Sequence, residues 1–179
     1  MSVESELAEL RTRVAQLEDR AAILDCVARH ARGCDRHDVD LIASAYWPDG
    51  IDEHGNTTNS GAAYSTWANA THAATTQTHT HNVTTHTCEI RGDTAYAESY
   101  VIVVLLGSDG LRAQFISGRY VDRLERRDGE WRIAHRRSTV EVMFVGDASV
   151  LQSSFFRDQG YASGTRDRSD LSYERRGTP

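Results

Sequence analysis

The sequence predicts an α+β fold, with helices in its first half and an antiparallel meander in its second. Between residues 7 and 24 apolar side chains recur at alternating steps of three and four, the period of a helix. From residue 78 the period changes to two and the composition becomes β-rich. Three turn signals then divide the remainder into strands. Helices in one block and strands in another read as α+β, here a curved antiparallel sheet wrapped around N-terminal helices.

Taken in order, Leu7, Leu10, Val14, Leu17, Ala21 and Leu24 form a narrow, heptad-like seam. Ile23, Val27, Ala28 and Ala31 widen that face, so one helix is expected from about Val3 to Arg32, stopped by Gly33. Asp38 is placed to cap a short second helix, Val39 to Tyr46. Pro48-Asp49-Gly50 reads as a turn, and Ile51 to His54 as the start of a strand that ends at Gly55-Asn56. A loop and a weak helix, Ala62 to Ala73, follow. The four expected strands are Thr78–Ile90, Thr94–Leu106, Leu111–Arg126 and Glu130–Phe144. The segment after Gly146 is polar apart from Phe155, Phe156 and Tyr161 and is expected on the surface. This divides the chain into a helical extension (1–18), one domain (19–145) and a C-terminal tail (146–179).

The chain has 179 residues, enough for one domain with a sizeable core. A net charge of -6 disfavours nucleic acid and anionic membranes as partners, since both need a basic footprint. Three widely spaced cysteines support neither a disulfide framework nor a structural zinc site. Met1 to Arg20 is too polar for a signal peptide, and the run Val101 to Leu106 is too short to span a bilayer. A cytoplasmic protein is expected. A lone subunit would leave the seam Leu7, Leu10, Val14 and Leu17 exposed, which points to a homo-oligomer.

Several segments resemble one family. Ala21-Ala22-Ile23-Leu24-Asp25, Gly33-Cys34-Asp35-Arg36 and Tyr46-Trp47-Pro48-Asp49 are similar to the N-terminal signature of the SnoaL-like family, within the nuclear transport factor 2-like superfamily. Glu89 to Ala95 and Asp128 to Ile133 are similar to its strand turns. The resemblance covers roughly residues 15 to 145 and implies a cone-shaped α+β barrel. Dehydratase and dehydrochlorinase members use a histidine base oriented by an aspartate, need no cofactor, and act on small molecules. Similar dehydratases are trimers, so the resemblance implies a trimer, with a dimer as runner-up.

Asp35 and His81 match the positions of that dyad. Spacing to Ile90 and Gly92-Asp93 favours His81 over His79 and His86, and strand alternation puts His86 on the opposite face. A neutral imidazole accepts a proton near pH 7, and a carboxylate on its other nitrogen stabilises the imidazolium. The competing structural explanation makes Asp35 a helix cap and His81 a satisfied core histidine. Arg136, His54 and His30 match further family site positions, where each would stabilise charge or protonate a leaving group. Tyr46, Trp67, Tyr100 and Phe115 are candidates to line the pocket, Phe115 foremost because its strand is central; aromatic residues at such places are also common core. A weaker alternative is a metal on His79 and His81 with His54 or Glu53.

The reading is a cofactor-independent lyase or isomerase of dehydratase type, acting on a polycyclic, steroid-like or polyketide-like molecule. The alternative is a non-catalytic binding or structural subunit, akin to the β subunit of ring-hydroxylating dioxygenases. An enzyme should hold the dyad in a closed apolar cavity, whereas a scaffold should fill that cavity with side chains.

Overall fold

The computed structural model describes residues 2–174. The elements are α1 (Val3–Arg36), α2 (Val39–Ser44), β1 (Tyr46–His54), β2 (Thr57–Ser60), α3 (Gly61–Thr75), β3 (Thr76–Arg91), β4 (Thr94–Gly107), β5 (Arg112–Arg127) and β6 (Glu130–Asp147), with short helical turns beyond. The six strands form one curved sheet in the order β2-β1-β6-β5-β4-β3. The sheet is mixed and open. β3 to β6 are an antiparallel meander as expected, but β1 joins β6 in parallel, and β2 and β3 remain edges that do not close a barrel. Among the described residues no helix is long and apolar enough to cross a membrane.

The first helix runs on to Arg36, past the expected stop. Gly33 is helical, and its lack of a side chain serves packing. A Cβ there would stand 2.6 Å from Ile42 Cγ1 and 2.8 Å from Ile42 N, so α2 crosses α1 at this residue. The left-handed terminator is His37, at φ 51°, whose backbone N–H donates to the carbonyls of Gly33 and Cys34. Asp38 caps α2 through Leu41 N at 3.0 Å, as expected, although α2 ends at Ser44. Pro48-Asp49-Gly50 is not a turn. It lies within β1, where the pairing with β6 skips from Tyr46 to Ile51, so no ladder bond is asked of the proline.

One face of the sheet packs on the helices. Ile23, Cys26, Ile42, Leu124 and Ile133 are fully buried in the main cluster. Burying each large aliphatic side chain contributes about 1.5–3 kcal/mol. A second cluster, Val27, Val101, Val103 and Tyr120, lies alongside half-buried Val83, Leu105 and Ile116. The first turns of α1 leave Leu7, Leu10, Val14 and Leu17 exposed, as the seam predicts. A second apolar area, Val140, Val142, Met143, Phe144 and Val145, is exposed at the end of β6.

The tail is less superficial than expected. Asp170 is buried and pairs with Arg36 at 2.6 Å, and Arg166 donates to Thr76 O at 2.8 Å. Phe155 and Tyr161 stay exposed.

Bulges decide which side chains enter the interior. One lies at Ser117/Gly118 against β6, where a Cβ on Gly118 would stand 2.0 Å from Thr139 O. Gly118→Ala is therefore expected to destabilise the domain by about 1–3 kcal/mol, because backbone must move. Urea denaturation checks this, and an unchanged midpoint would contradict the packing described.

Candidate functional site

Asp35 occupies the last turn of α1 and faces the start of β3. Its carboxylate accepts the backbone N–H of His81 at 3.0 and 3.1 Å and the His81 Nδ1–H at 2.6 Å. The side chains are 13% and 7% exposed. A charge-assisted bond this short fixes the proton on Nδ1 and leaves Nε2 as the lone-pair nitrogen. Capping of α2 falls to Asp38, so it does not explain Asp35. The pair opens on a groove of about 300 Å³ between Ala28, Ala31, Arg32 and Arg36 of α1 and His81 and Val83 of β3. The half-buried edge of the second apolar cluster begins at Val83.

The other two histidines of β3 differ in their partners. His79 is buried, donates from Nε2 to Cys34 O at 2.9 Å, and accepts at Nδ1 from Arg166 at 3.1 Å. Burial lowers its basicity to about 4. His86 does not sit on the opposite face. A bulge between Val83 and Thr85 shifts the alternation, so His86 pairs across from buried Ser99, with Nδ1 2.8 Å from its hydroxyl.

Deeper in the domain lies a polar network. Arg136 is fully buried and makes two 2.7 Å bonds to Asp122. Its guanidinium stands over the Tyr120 ring at 4.0 Å. Burial opposes its charge, but Asp122 keeps it protonated, well above the usual range. Among the described residues Arg136 Nη1 has no hydrogen-bond partner although it is buried. His30 is fully buried, with Nδ1 3.2 Å from the Tyr46 hydroxyl, which in turn donates to Asp52 at 2.7 Å. Burial, then the Arg136 charge, pushes His30 well below the usual histidine range, so it is neutral. The Tyr64 ring stacks on His30 at 5.3 Å. His30, Tyr46, Tyr64, Tyr120 and Arg136 are buried against one another, while the dyad lines the open groove.

The remaining candidates divide by face. His54 lies 3.5 Å from Asp52 and close to the rings of Tyr64 and Trp67, so Tyr46, His54 and Trp67 gather around α3 and β1. Tyr100 and Phe115 do not join them. Tyr100 pairs across from Arg119 and is 47% exposed. Phe115 is paired with Val104, off the interior row, and stacks on Phe144 at 4.9 Å. Both are on the outer face, because alternation from buried Ser99 and Tyr120 turns them outward. The weaker alternative of a metal on His79 and His81 with His54 or Glu53 is not favoured by placement: Glu53 is bound to His135 and Arg137, and His54 lies by Asp52, Tyr64 and Trp67.

The sequence reading missed Asp52, Asp122, Tyr64 and Tyr120. Asp122 could have been found by counting pairs from the Asp128-Gly129 turn, but a bulge at Arg123/Leu124 moves its partner from His135 to Arg136.

No curated protein matches the chain. Among solved structures, a type 2 hexachlorocyclohexane dehydrochlorinase superposes with a TM-score of 0.70 at 23% identity, over 75% of this chain and 93% of that one. A protein of unknown function from Mycobacterium tuberculosis reaches 0.63 at 29% identity, over 71% and 74%. A Novosphingobium aromaticivorans protein provisionally named a scytalone dehydratase reaches 0.65 at 15% identity, over 72% and 88%. At 23% and 15% the likeness is one of fold. The SnoaL-like domain family matches residues 15–137, from the seam of α1 to the arginines of β6, and the chain belongs to that family.

Proposed function

We propose that the protein is a cofactor-independent lyase or isomerase in which His81 is the base and Asp35 its orienting carboxylate. The observation that carries this is the 2.6 Å bond between Asp35 and His81 Nδ1 beside a groove of about 300 Å³. His81 Nε2 takes a proton from a carbon next to a carbonyl, or next to a carbon bearing a leaving group. The electron pair left behind forms the new double bond as the leaving group departs, or moves onto the carbonyl oxygen. Asp35 stabilises the imidazolium that results. Arg136, His30 and His54 are the candidates to receive negative charge or protonate the leaving group. Asp122 neutralises much of the Arg136 charge, so its unpaired Nη1 is the part suited to that task. The half-buried Val83, Leu105 and Ile116 suit a polycyclic, steroid-like or polyketide-like substrate.

A second reading is a non-catalytic binding or structural subunit. The mutual burial of His30, Tyr46, Tyr64, Tyr120 and Arg136 favours it, since a scaffold needs no deep cavity. Carbon-proton exchange separates the two without knowledge of the leaving group. The full chain is incubated in D2O with a panel of polycyclic ketones, and deuterium uptake is followed by mass spectrometry. Uptake is expected, falling by ~10²–10⁴ in His81→Ala and in Asp35→Asn. Uptake that persists undiminished in His81→Ala would refute the proposed base.

The exposed seam of α1 and the apolar end of β6 support assembly into a homo-oligomer, most simply a trimer and otherwise a dimer. Light scattering coupled to size exclusion tests this. A species of 20.0 kDa at micromolar concentration would contradict it. An oligomer that survives deletion of residues 1–18 would assign the interface to the sheet.

A further inference from the structure

Beside the dyad, but not used by it, three histidines converge from three elements. His37 comes from the left-handed residue that ends α1, His72 from the last turn of α3, and His79 from β3. Their ring centroids lie 4.1 Å (His72–His79), 5.5 Å (His37–His79) and 6.5 Å (His37–His72) apart. One ring nitrogen of each lies within 4.8 Å of the other two. A core that used these rings only for packing would satisfy their nitrogens. Instead His37 Nε2 and His72 Nδ1 are buried with no hydrogen-bond partner among the described residues.

His79 is prepared differently. Its Nε2–H donates to Cys34 O at 2.9 Å, which fixes the tautomer and leaves a lone pair on Nδ1. A backbone carbonyl on the far nitrogen is the usual way a metal-binding imidazole is held. The group that meets this lone pair is itself a cation. Arg166 Nη2 lies 3.1 Å from His79 Nδ1, while Nη1 anchors the guanidinium to Thr76 O at 2.8 Å. The other possible ligand group, Asp35, His79 and His81, is committed elsewhere, since the bonds from Asp35 to His81 and from His79 to Cys34 engage its atoms.

We propose that His37, His72 and His79 form a site for a transition-metal dication, and that the Arg166 guanidinium is the internal cation that competes for it. Three imidazole nitrogens suit zinc(II), with water in the fourth position. Zinc–nitrogen bonds of about 2.0–2.1 Å place tetrahedral donors about 3.4 Å apart, so ring rotations must draw the nitrogens inward by roughly 1 Å. Binding expels Arg166 from His79, which loosens the hold of the tail on β3. The site is independent of the proposed reaction, because neither Asp35 nor His81 is a ligand.

Calorimetric titration of the untagged full-length chain with zinc chloride in a non-chelating buffer at pH 7.5 tests this. One zinc per chain is expected, bound at least about tenfold more weakly in His37→Asn and in His72→Ala. Asparagine keeps the left-handed cap and alanine keeps the helix, and circular dichroism verifies both folds. Arg166→Ala is expected to tighten binding by a similar factor, whereas His135→Ala should leave it unchanged. The proposal is overturned if neither wild type nor Arg166→Ala binds zinc, if folded His37→Asn and His72→Ala bind as wild type does, or if His135→Ala loses as much affinity as they do.

Discussion

The Asp35 carboxylate is the group on which the junction of α1 with β3 depends. It sits 13% exposed at the end of a 34-residue helix and accepts both the backbone N–H and the ring N–H of His81. The backbone bonds hold β3 against α1. The ring bond sets the tautomer of the imidazole. A single charge therefore joins helix to strand and sets the ring that the proposed mechanism uses as base, and the two roles come apart on substitution. Loss of the His81 ring leaves the carboxylate its backbone donor. Loss of the carboxylate strands both donors, a cost of about 1–3 kcal/mol for each buried group left unpaired.

A second constraint lies deeper. Arg136 and Asp122 are both fully buried, and their bidentate geometry offsets the desolvation of two charges. Tyr46, Asp52, His30 and Tyr120 complete this interior, and the neutrality of His30 follows from burial beside Arg136. The Asp35–His81 pair itself lines the groove where α1 meets β3.

Much of this was legible in the sequence. The change of hydrophobic period located the helices and the meander, and each strand of the meander was placed to within a few residues. Asp35 and His81 were singled out through the resemblance to the SnoaL-like family, and the spacing from His81 to Ile90 and Gly92-Asp93 separated His81 from His79 and His86. What could not be read has a common cause. One-residue bulges at Val83/Thr85, Ser117/Gly118 and Arg123/Leu124 shift pairing without leaving a period in the sequence. They bring His86 inside and set Asp122 opposite Arg136. Phe115 and Tyr100 failed for a simpler reason, since a central strand has two faces and only one meets the helices. Gly33 looked like a helix terminator, yet it is a point of close approach to Ile42, and local sequence does not distinguish the two. The histidines that surround His79 escaped notice because His37, His72 and His79 come together only through tertiary packing.

The account stands on the claim that Asp35 holds the His81 ring with its proton on Nδ1 and its basic lone pair on Nε2. Nitrogen-15 chemical shifts and long-range couplings of the labelled imidazole report this directly, and they require no substrate. In the wild-type protein at neutral pH the neutral ring should carry its proton on Nδ1, and in Asp35→Asn that preference should be lost while the chemical-shift pattern of the core persists. A wild-type ring protonated on Nε2, or a tautomer that is unchanged in Asp35→Asn, would contradict the account.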